Sequence, residues 1–246
     1  MQYYAEDTSA VPFRFLCIAL KPMMPRPAAW LVAALIRLGG KLGFRLPPTY
    51  GVGYPGTETE IDPQELPPGA IALWAPILEQ LRDLGFQPLK CERMATVGTK
   101  LYCSTVLLDQ PGSTTAILEW TRMVGAKGIE ENTPLEFNSY VDDALDVVTG
   151  VVRKVDVPMS EMLQLESVEM ISLENSRPLA ESFQQHRQRC EGRHVLRLSE
   201  ENALQVVCDR GKQRFEALLE SGILRELSSA EVDRLREIDL TELHAF

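Results

Sequence analysis

Two pairs of strand-like segments between residues 100 and 151 most restrict the folds open to this chain. Lys100–Leu108 and Thr114–Met123 are rich in β-branched and aromatic residues. Residues 109–113 separate them and include Pro111 and Gly112, which favour a turn. This arrangement is typical of an antiparallel hairpin with a longer loop. The sequence therefore predicts two neighbouring strands in this part of the chain.

A second hairpin is predicted directly after the first. Asp142, Asp143 and Ala144 are expected to form its turn. Alternate positions on the two sides of this turn carry Leu135, Phe137, Ser139 and Val141, and Leu145, Val147, Thr149 and Val151, as expected of two strands. Together with a strand predicted over Gln87–Met94, these segments indicate an antiparallel β-meander of four or five strands. The intervening stretch 124–134 contains glycines and polar residues, and we expect it to be a loop.

Helical patterns flank the predicted meander. Apolar residues of Pro76–Leu84 recur on one helical face, and Gly85 suits the position after its last turn. After Pro158, three further helices are predicted. They cover Pro178–Cys190, Ser199 to about Glu220, and Ala230–Ile238. Strands first and helices afterwards indicate an α+β fold with an all-helical C-terminal part.

Charge divides the chain into two parts of opposite sign. No Asp or Glu occurs between Thr8 and Thr57, and this stretch carries six Lys or Arg residues. From Glu58 onward, 33 acidic residues stand against 19 basic ones. We therefore expect a basic, apolar N-terminal arm over residues 1–57, and an acidic α+β domain over residues 58–246. An acidic body repels phosphate backbones, so nucleic acid is not an expected partner.

The arm contains two apolar runs separated by prolines. The second run is predicted to form a helix over about residues 27–38, because Pro27 suits a first helical turn and Gly39-Gly40 favours a stop. Neither run reaches the length of about 20 apolar residues that a membrane-spanning helix needs. A helix so apolar must be covered by something.

Two kinds of cover for this helix follow from the sequence. The helix packs against the body as part of the core, or its cover lies outside the body: an anionic membrane surface, a re-entrant insertion into the membrane, or a protein partner. For the second alternative, the expected contact residues are Trp30, Arg26, Arg37 and Lys41, because aromatic rings and bases favour the headgroup region.

No recognisable catalytic motif occurs in the sequence. The five cysteines, at positions 17, 91, 103, 190 and 208, form no CxxC pair, which favours reduced thiols in the cytoplasm. Histidines at positions 186, 194 and 244 lie outside any zinc-binding spacing, and His186 falls in a polar run where we expect it to be exposed. We therefore predict no metal site and no cofactor.

The sequence favours a non-enzymatic binding or interaction module in the cytoplasm, attached peripherally to a membrane through its arm. One alternative is an enzyme whose site is assembled from dispersed residues. Another is a structural subunit that buries the arm in an oligomer. The candidate residues for the enzyme are Asp142, Asp143, Asp146 and His186.

Overall fold

The computed structural model describes residues 1–21, 24–125, 128–141, 145–157 and 165–238. Within these ranges the chain forms six α-helices, one short 3₁₀ helix (Pro63–Glu65) and twelve β-strands. The helices are α1 (Phe13–Leu20), α2 (Arg26–Lys41), α3 (Pro68–Asp83), α4 (Leu179–Cys190), α5 (Glu200–Glu220) and α6 (Ser229–Arg236). The strands are β1 (Tyr3–Glu6), β2 (Tyr50–Gly53), β3 (Thr59–Glu60), β4 (Phe86–Arg93), β5 (Thr96–Gly98), β6 (Lys100–Asp109), β7 (Thr115–Gly125), β8 (Gly128–Asn132), β9 (Leu135–Val141), β10 (Leu145–Val152), β11 (Val168–Glu174) and β12 (Leu224–Glu226).

The larger of two sheets contains the predicted hairpins. Its strands lie in the order β11-β10-β9-β7-β6-β4-β3, and β8 pairs with the end of β7. The pairings are antiparallel except that of β10 with β11, which is parallel. The prediction of a mixed fold with an antiparallel-rich sheet is therefore confirmed.

Helices cover both faces of the central strands. Phe137 and Tyr140 on β9 point to opposite faces, because side chains alternate along a strand. α3 and α4 pack on the Phe137 face, where Trp74 and Phe183 belong to the main hydrophobic core. α5 covers the Tyr140 face and buries Ala203 there. The sheet is consequently the middle layer of three.

A second, smaller sheet joins distant parts of the chain in the order β12-β1-β2-β5. β1 pairs with both β2 and β12, so the N-terminus, residues 50–53 and the C-terminal part meet here. β12 and β11 lie among the C-terminal helices, so the prediction of an all-helical C-terminal part is wrong in that respect. The edges of β1 and β10 offer these segments hydrogen-bond partners that local sequence does not reveal. The division of the chain at residue 57 stays a prediction.

The stretch 124–134, predicted as a loop, instead contains β8. Its residues are exposed and mostly polar, so they lack the apolar alternation that marks the other strands. Gly125 pairs with Gly128, and Thr121 pairs with Asn132, because β7 extends beyond its pairing with β9. A neighbouring strand with free backbone groups, rather than a local pattern, creates β8.

α1 and α2 form a helical hairpin, called here the N-terminal hairpin. Phe15 and Leu16 of α1 pack with Ala33 of α2 in an apolar cluster separate from the sheet core. Arg37 on α2 donates hydrogen bonds from Nη1 to the carbonyl groups of Val11 (2.9 Å) and Ala10 (3.4 Å). The hairpin is thus held together largely by its own contacts.

The predicted stop of α2 at Gly39-Gly40 is wrong. α2 continues to Lys41 and ends where Gly43 adopts a φ of +84°. The Phe44 N–H donates to the Gly39 carbonyl and the Gly43 N–H donates to the Gly40 carbonyl, which is a Schellman arrangement. Gly40 has a different role, since a Cβ at this position would overlap the Ser9 Cβ.

Substitution at Gly40 tests this close approach. Gly40→Ala should lower the free energy of unfolding by about 1–3 kcal/mol, because the added methyl group must displace Ser9. Gly39→Ala is the matched control, since its Cβ would lie 3.7 Å from the Phe44 Cβ, an ordinary contact. Alanine there should be neutral, or stabilising by up to about 1 kcal/mol. The measurement is urea denaturation combined with amide hydrogen exchange in α2. Equal destabilisation by both variants would contradict the packing of α2 on Ser9.

Candidate functional site

α2 leaves an apolar surface uncovered on the side opposite α1. The leucine stripe consists of Leu31, Leu35, Leu38 and Leu42, whose spacing places them along one side of the helix. Their exposed fractions are 60, 57, 54 and 67%, and Phe44 just beyond the helix is 73% exposed. A contiguous exposed apolar surface of this kind is typical of a binding site for a protein or a membrane.

The four contact residues predicted from the sequence share one flank of α2 beside the leucine stripe. Successive members of this set are four, seven and four residues apart, in the order Arg26, Trp30, Arg37 and Lys41. Because an α-helix repeats every 3.6 residues, this spacing places them at similar angles around the helix. Arg26, Trp30 and Lys41 are exposed. Arg37 is half-buried and holds the hairpin together through the Val11 carbonyl.

Further bases extend this cationic character around the N-terminal hairpin. Arg14 and Lys21 are exposed, and so is Arg45, which forms an ion pair with Asp7 at 3.1 Å. The Phe13 ring lies edge-on to Trp30, with 5.2 Å between ring centres. The uncovered surface therefore combines large apolar side chains with a cationic border.

A separate cavity lies between α5 and the larger sheet, and we call it the α5 cavity. Its volume is about 370 Å³. Val106 and Ile117 on the sheet side, and Leu204 and Val207 on the helix side, form its apolar walls. Charged and hydroxyl-bearing side chains line the remainder, notably Tyr102, Glu119, Glu136, Arg210 and Arg214.

Glu119 is the acid placed most unusually in the α5 cavity. It lies in the middle of β7 and accepts a hydrogen bond from the Tyr102 hydroxyl at 2.5 Å. Burial first, and the nearby Glu136 carboxylate second, raise the pKa of Glu119 to about 7. Burial also raises the pKa of Tyr102 well above its usual range. The Glu119 carboxyl group therefore keeps its proton to a higher pH than an ordinary glutamic acid side chain does.

Arg214 of α5 crosses to the sheet and pairs with a buried carboxylate. Its Nη2 lies 2.8 Å from Asp146 Oδ2 and donates to Asn138 Oδ1 at 3.0 Å. Asp146 is almost fully buried and also lies 3.6 Å from Arg210 Nε. These contacts attach α5 to β9 and β10. Asp146 was a catalytic candidate from the sequence, and in the structure it binds two arginines.

His186 belongs to α4 and was expected at the surface, but its side chain is fully buried against the sheet. Its Nε2 lies 3.0 Å from Ser139 Oγ and its Nδ1 lies 3.0 Å from Thr149 Oγ1. Burial, with a smaller contribution from Arg189, lowers the pKa of His186 to about 3. The prediction that His186 is exposed was wrong because its sequence neighbours are polar. At this turn of α4, His186 is buried while Gln185 and Arg187 beside it are not.

The candidate enzyme residues that the structure describes do not come together. Thr149, which contacts His186, and Asp146 are three residues apart on β10, so their side chains leave opposite faces of the sheet. Asp142 and Asp143 lie outside the described residues. Cys190 Sγ is 3.8 Å from His186 Nε2, but burial raises the pKa of that thiol, which disfavours a thiolate.

A second cavity of about 490 Å³ lies at the start of α3 and the corner between β5 and β6. Its walls include Leu66, Pro67 and Leu101. Arg93 lines it and donates from Nη2 to the Glu65 carbonyl at 3.3 Å. This cavity presents one cation and no buried acid–base pair, so its chemistry is less specific than that of the α5 cavity.

Comparison of the chain with protein-family models, with curated proteins and with solved structures finds no match. Among the described residues, no helix has the length and apolar character needed to traverse a bilayer. Within the same residues, no group of three or more His, Cys, Asp or Glu side chains could hold a metal ion.

Sequence reasoning missed the polar lining of the α5 cavity. Glu119 offered a signal, because it follows Ala116, Ile117 and Leu118 in a strand that is otherwise suited to a core. A carboxylate within a buried strand needs a compensating partner or a raised pKa. Arg214 offered none, since an arginine in a mostly polar helix is ordinary.

His186 should make the stability of the protein depend on acid. The unfolded chain binds a proton at this residue below about pH 6.5, whereas the folded protein does so only near a pKa of about 3. This contribution to stability is therefore present above pH 6.5 and is lost as the pH falls, by up to about 1.4 kcal/mol per pH unit. His186→Gln, which can still bond both hydroxyl groups, should have a shallower slope between these values. Urea denaturation over a pH series measures this slope for both proteins. Identical slopes would contradict the lowered pKa of His186.

Glu119 should produce the opposite dependence. Its pKa is raised to about 7 in the folded protein, so the folded state keeps a proton that the unfolded chain releases near pH 4.5. The stabilisation is complete below that lower value and is lost as the pH rises through 7. Glu119→Gln should remove this loss and be more stable than the unaltered protein at about pH 8. Glu130→Gln, at an exposed position of β8, controls for the removal of one charge. A Glu119→Gln variant that loses stability with rising pH as the parent does would refute the protonation of Glu119.

Proposed function

We propose that this protein is a binding module that attaches peripherally to an anionic membrane surface through its N-terminal hairpin. The observation that carries the proposal is the uncovered leucine stripe, which lies beside a flank of exposed bases and Trp30. The rest of the protein leaves this surface exposed. The exposed leucines therefore do not support the alternative in which the whole helix packs into the core.

The apolar part of the surface suits the boundary between headgroups and acyl chains. Leu31, Leu35, Leu38 and Leu42 are each more than half exposed. Covering the exposed part of each leucine contributes about 1 kcal/mol. Trp30 lies on the flank between α1 and the stripe, edge-on to Phe13, and its exposed amphipathic ring favours the interface. The geometry is that of a helix lying along a membrane rather than crossing it.

The cationic part of the surface selects an anionic partner. Each base near an anionic leaflet contributes about 1 kcal/mol. Arg26 and Lys41 flank the stripe on α2, while Arg14 and Lys21 belong to α1 and its end. The proposal places the protein at the cytoplasmic leaflet, where anionic lipids are concentrated. The five cysteines, all free, suit that compartment.

Self-association through the leucine stripe is the competing explanation. The spacing of Leu31, Leu35, Leu38 and Leu42 also resembles the seam of a coiled coil. A symmetric dimer across this seam would, however, bring two surfaces with the same exposed bases together. No acid in residues 8–57 could offset the repulsion. Charge complementarity therefore favours the lipid surface over a second copy.

Vesicle flotation of the full-length protein tests the proposal. At low ionic strength the protein should float with phosphatidylglycerol-containing vesicles and remain behind with pure phosphatidylcholine. Arg26→Gln with Lys41→Gln should weaken binding about thirtyfold, since two bases are lost. Leu35→Ser with Leu38→Ser should weaken it by about tenfold or more.

Ile71→Ser with Leu73→Ser provides the matched control, because these exposed apolar residues lie on α3 in the acidic body. This pair should leave flotation unchanged. Light scattering of the same samples distinguishes the dimer. If the parent protein ignores anionic vesicles, and forms a dimer that Leu35→Ser with Leu38→Ser dissociates, the membrane proposal is wrong.

A further inference from the structure

The α5 cavity has walls of two different characters. Val106, Ile117, Leu204 and Val207 enclose it with apolar side chains. Its volume of about 370 Å³ lies in the range of small-molecule sites. Gly211 on α5 also lines the cavity, and a Cβ built there would meet nothing within 4 Å. Space for a short apolar group is therefore present next to the helix.

The charges around this space do not cancel. The cations that line the cavity already have acidic partners: Arg214 pairs with Asp146 at 2.8 Å, and Lys90 pairs with Glu92 at 2.9 Å. Arg210 also faces Asp146, at 3.6 Å. Each of these bases is therefore committed to an acid other than Glu119.

The acids of the sheet wall are compensated less well. Glu119 has the Tyr102 hydroxyl as a hydrogen-bond donor and forms no ion pair among the described residues. Glu136 lies 3.8 Å from Arg214 Nη1, at the outer limit of an ion pair. Both belong to the lining of one cavity. The cavity thus offers two carboxyl groups that a cation would complement.

We propose that the α5 cavity binds a small organic ammonium ion, a primary amine with a short apolar body. The ammonium group donates hydrogen bonds to Glu119 and Glu136, and the apolar body lies against Val207 and Ile117. Tyr102 orients the Glu119 carboxyl group through its hydroxyl hydrogen bond. This site lies in the body of the protein and is independent of the N-terminal hairpin.

Other classes of ligand fit the cavity less well. A small anion would face the Glu119 and Glu136 carboxyl groups without a free cation, since Arg214 and Lys90 are already paired. A calcium ion takes six to eight oxygen ligands, and among the described residues no group of three or more His, Cys, Asp or Glu side chains could hold a metal ion. A neutral molecule gains only the apolar contacts. The ammonium group is the chemistry that uses both halves of the lining.

Binding of n-hexylamine to the full-length protein tests the proposal, with hexanol and hexanoate as probes of the same length. Chemical-shift perturbation in NMR spectra at about pH 8, where Glu119 is ionised, reports the binding site. Hexylamine should bind with a Kd of about 1 mM or tighter, and should shift resonances of α5 and β7. Hexanol should bind about tenfold more weakly, and hexanoate should not bind.

Two variants locate the bound amine. Glu119→Gln should weaken hexylamine binding by about tenfold, because a charge-assisted hydrogen bond becomes a neutral one. Gly211→Leu should abolish binding by filling the cavity. It should still fold, since leucine favours a helix and a Cβ has free space there.

Controls separate this site from other surfaces. Glu130→Gln and Leu35→Ser with Leu38→Ser should bind hexylamine as the parent protein does, which excludes general charge effects and the leucine stripe. The proposal is overturned if hexylamine causes no saturable shift. It is also overturned if hexanol or hexanoate binds as tightly, if calcium chloride produces the same shifts at lower concentration, or if Gly211→Leu retains the site.

Discussion

Coverage of the larger sheet on both faces is the constraint on which the rest of this structure depends. α3 and α4 bury one face and α5 buries the other, so the central strands have no solvent side. A polar residue on any of these strands must then find a partner inside the protein. Thr149 is paired with His186, Asp146 with Arg214, and Glu119 with Tyr102. The polar sites of the molecule are consequences of this layered packing.

The two faces of the sheet resolve the same constraint differently. Under α4, the His186 imidazole lies between the Ser139 and Thr149 hydroxyl groups, and Arg189 Nη1 donates to the Thr149 hydroxyl at 2.9 Å. Under α5, the packing is less complete and a cavity remains, lined by side chains of both charge signs. Arg214 and Asp146 hold the helix to the sheet, whereas Glu119 and Glu136 stay less well compensated. The face with the Arg214–Asp146 ion pair is therefore also the face that keeps a cavity.

On α2 of the N-terminal hairpin, small side chains face inward and large apolar side chains face outward. Ala29, Ala33 and Gly40 lie on its inner side, where small residues let α2 approach α1 and Ser9. The large leucines consequently lie outward. The large buried residues of the hairpin, Phe15 and Leu16, come from α1 instead. The leucines of α2 therefore gain nothing from burial within the hairpin and stay exposed.

The sequence by itself determined the parts of this protein that depend on neighbours along the chain. The β6–β7 hairpin, the strands β9 and β10, the boundaries of α5 and the uneven distribution of charge follow from local periodicity and turn residues. Only the tertiary structure decided the strands β8, β11 and β12, because they form on free edges supplied by other segments. It also decided which side of α2 is exposed, that His186 is buried, and that Glu119 and Arg214 line one cavity. These properties depend on which surfaces meet when distant segments pack, and no local pattern in the chain encodes that.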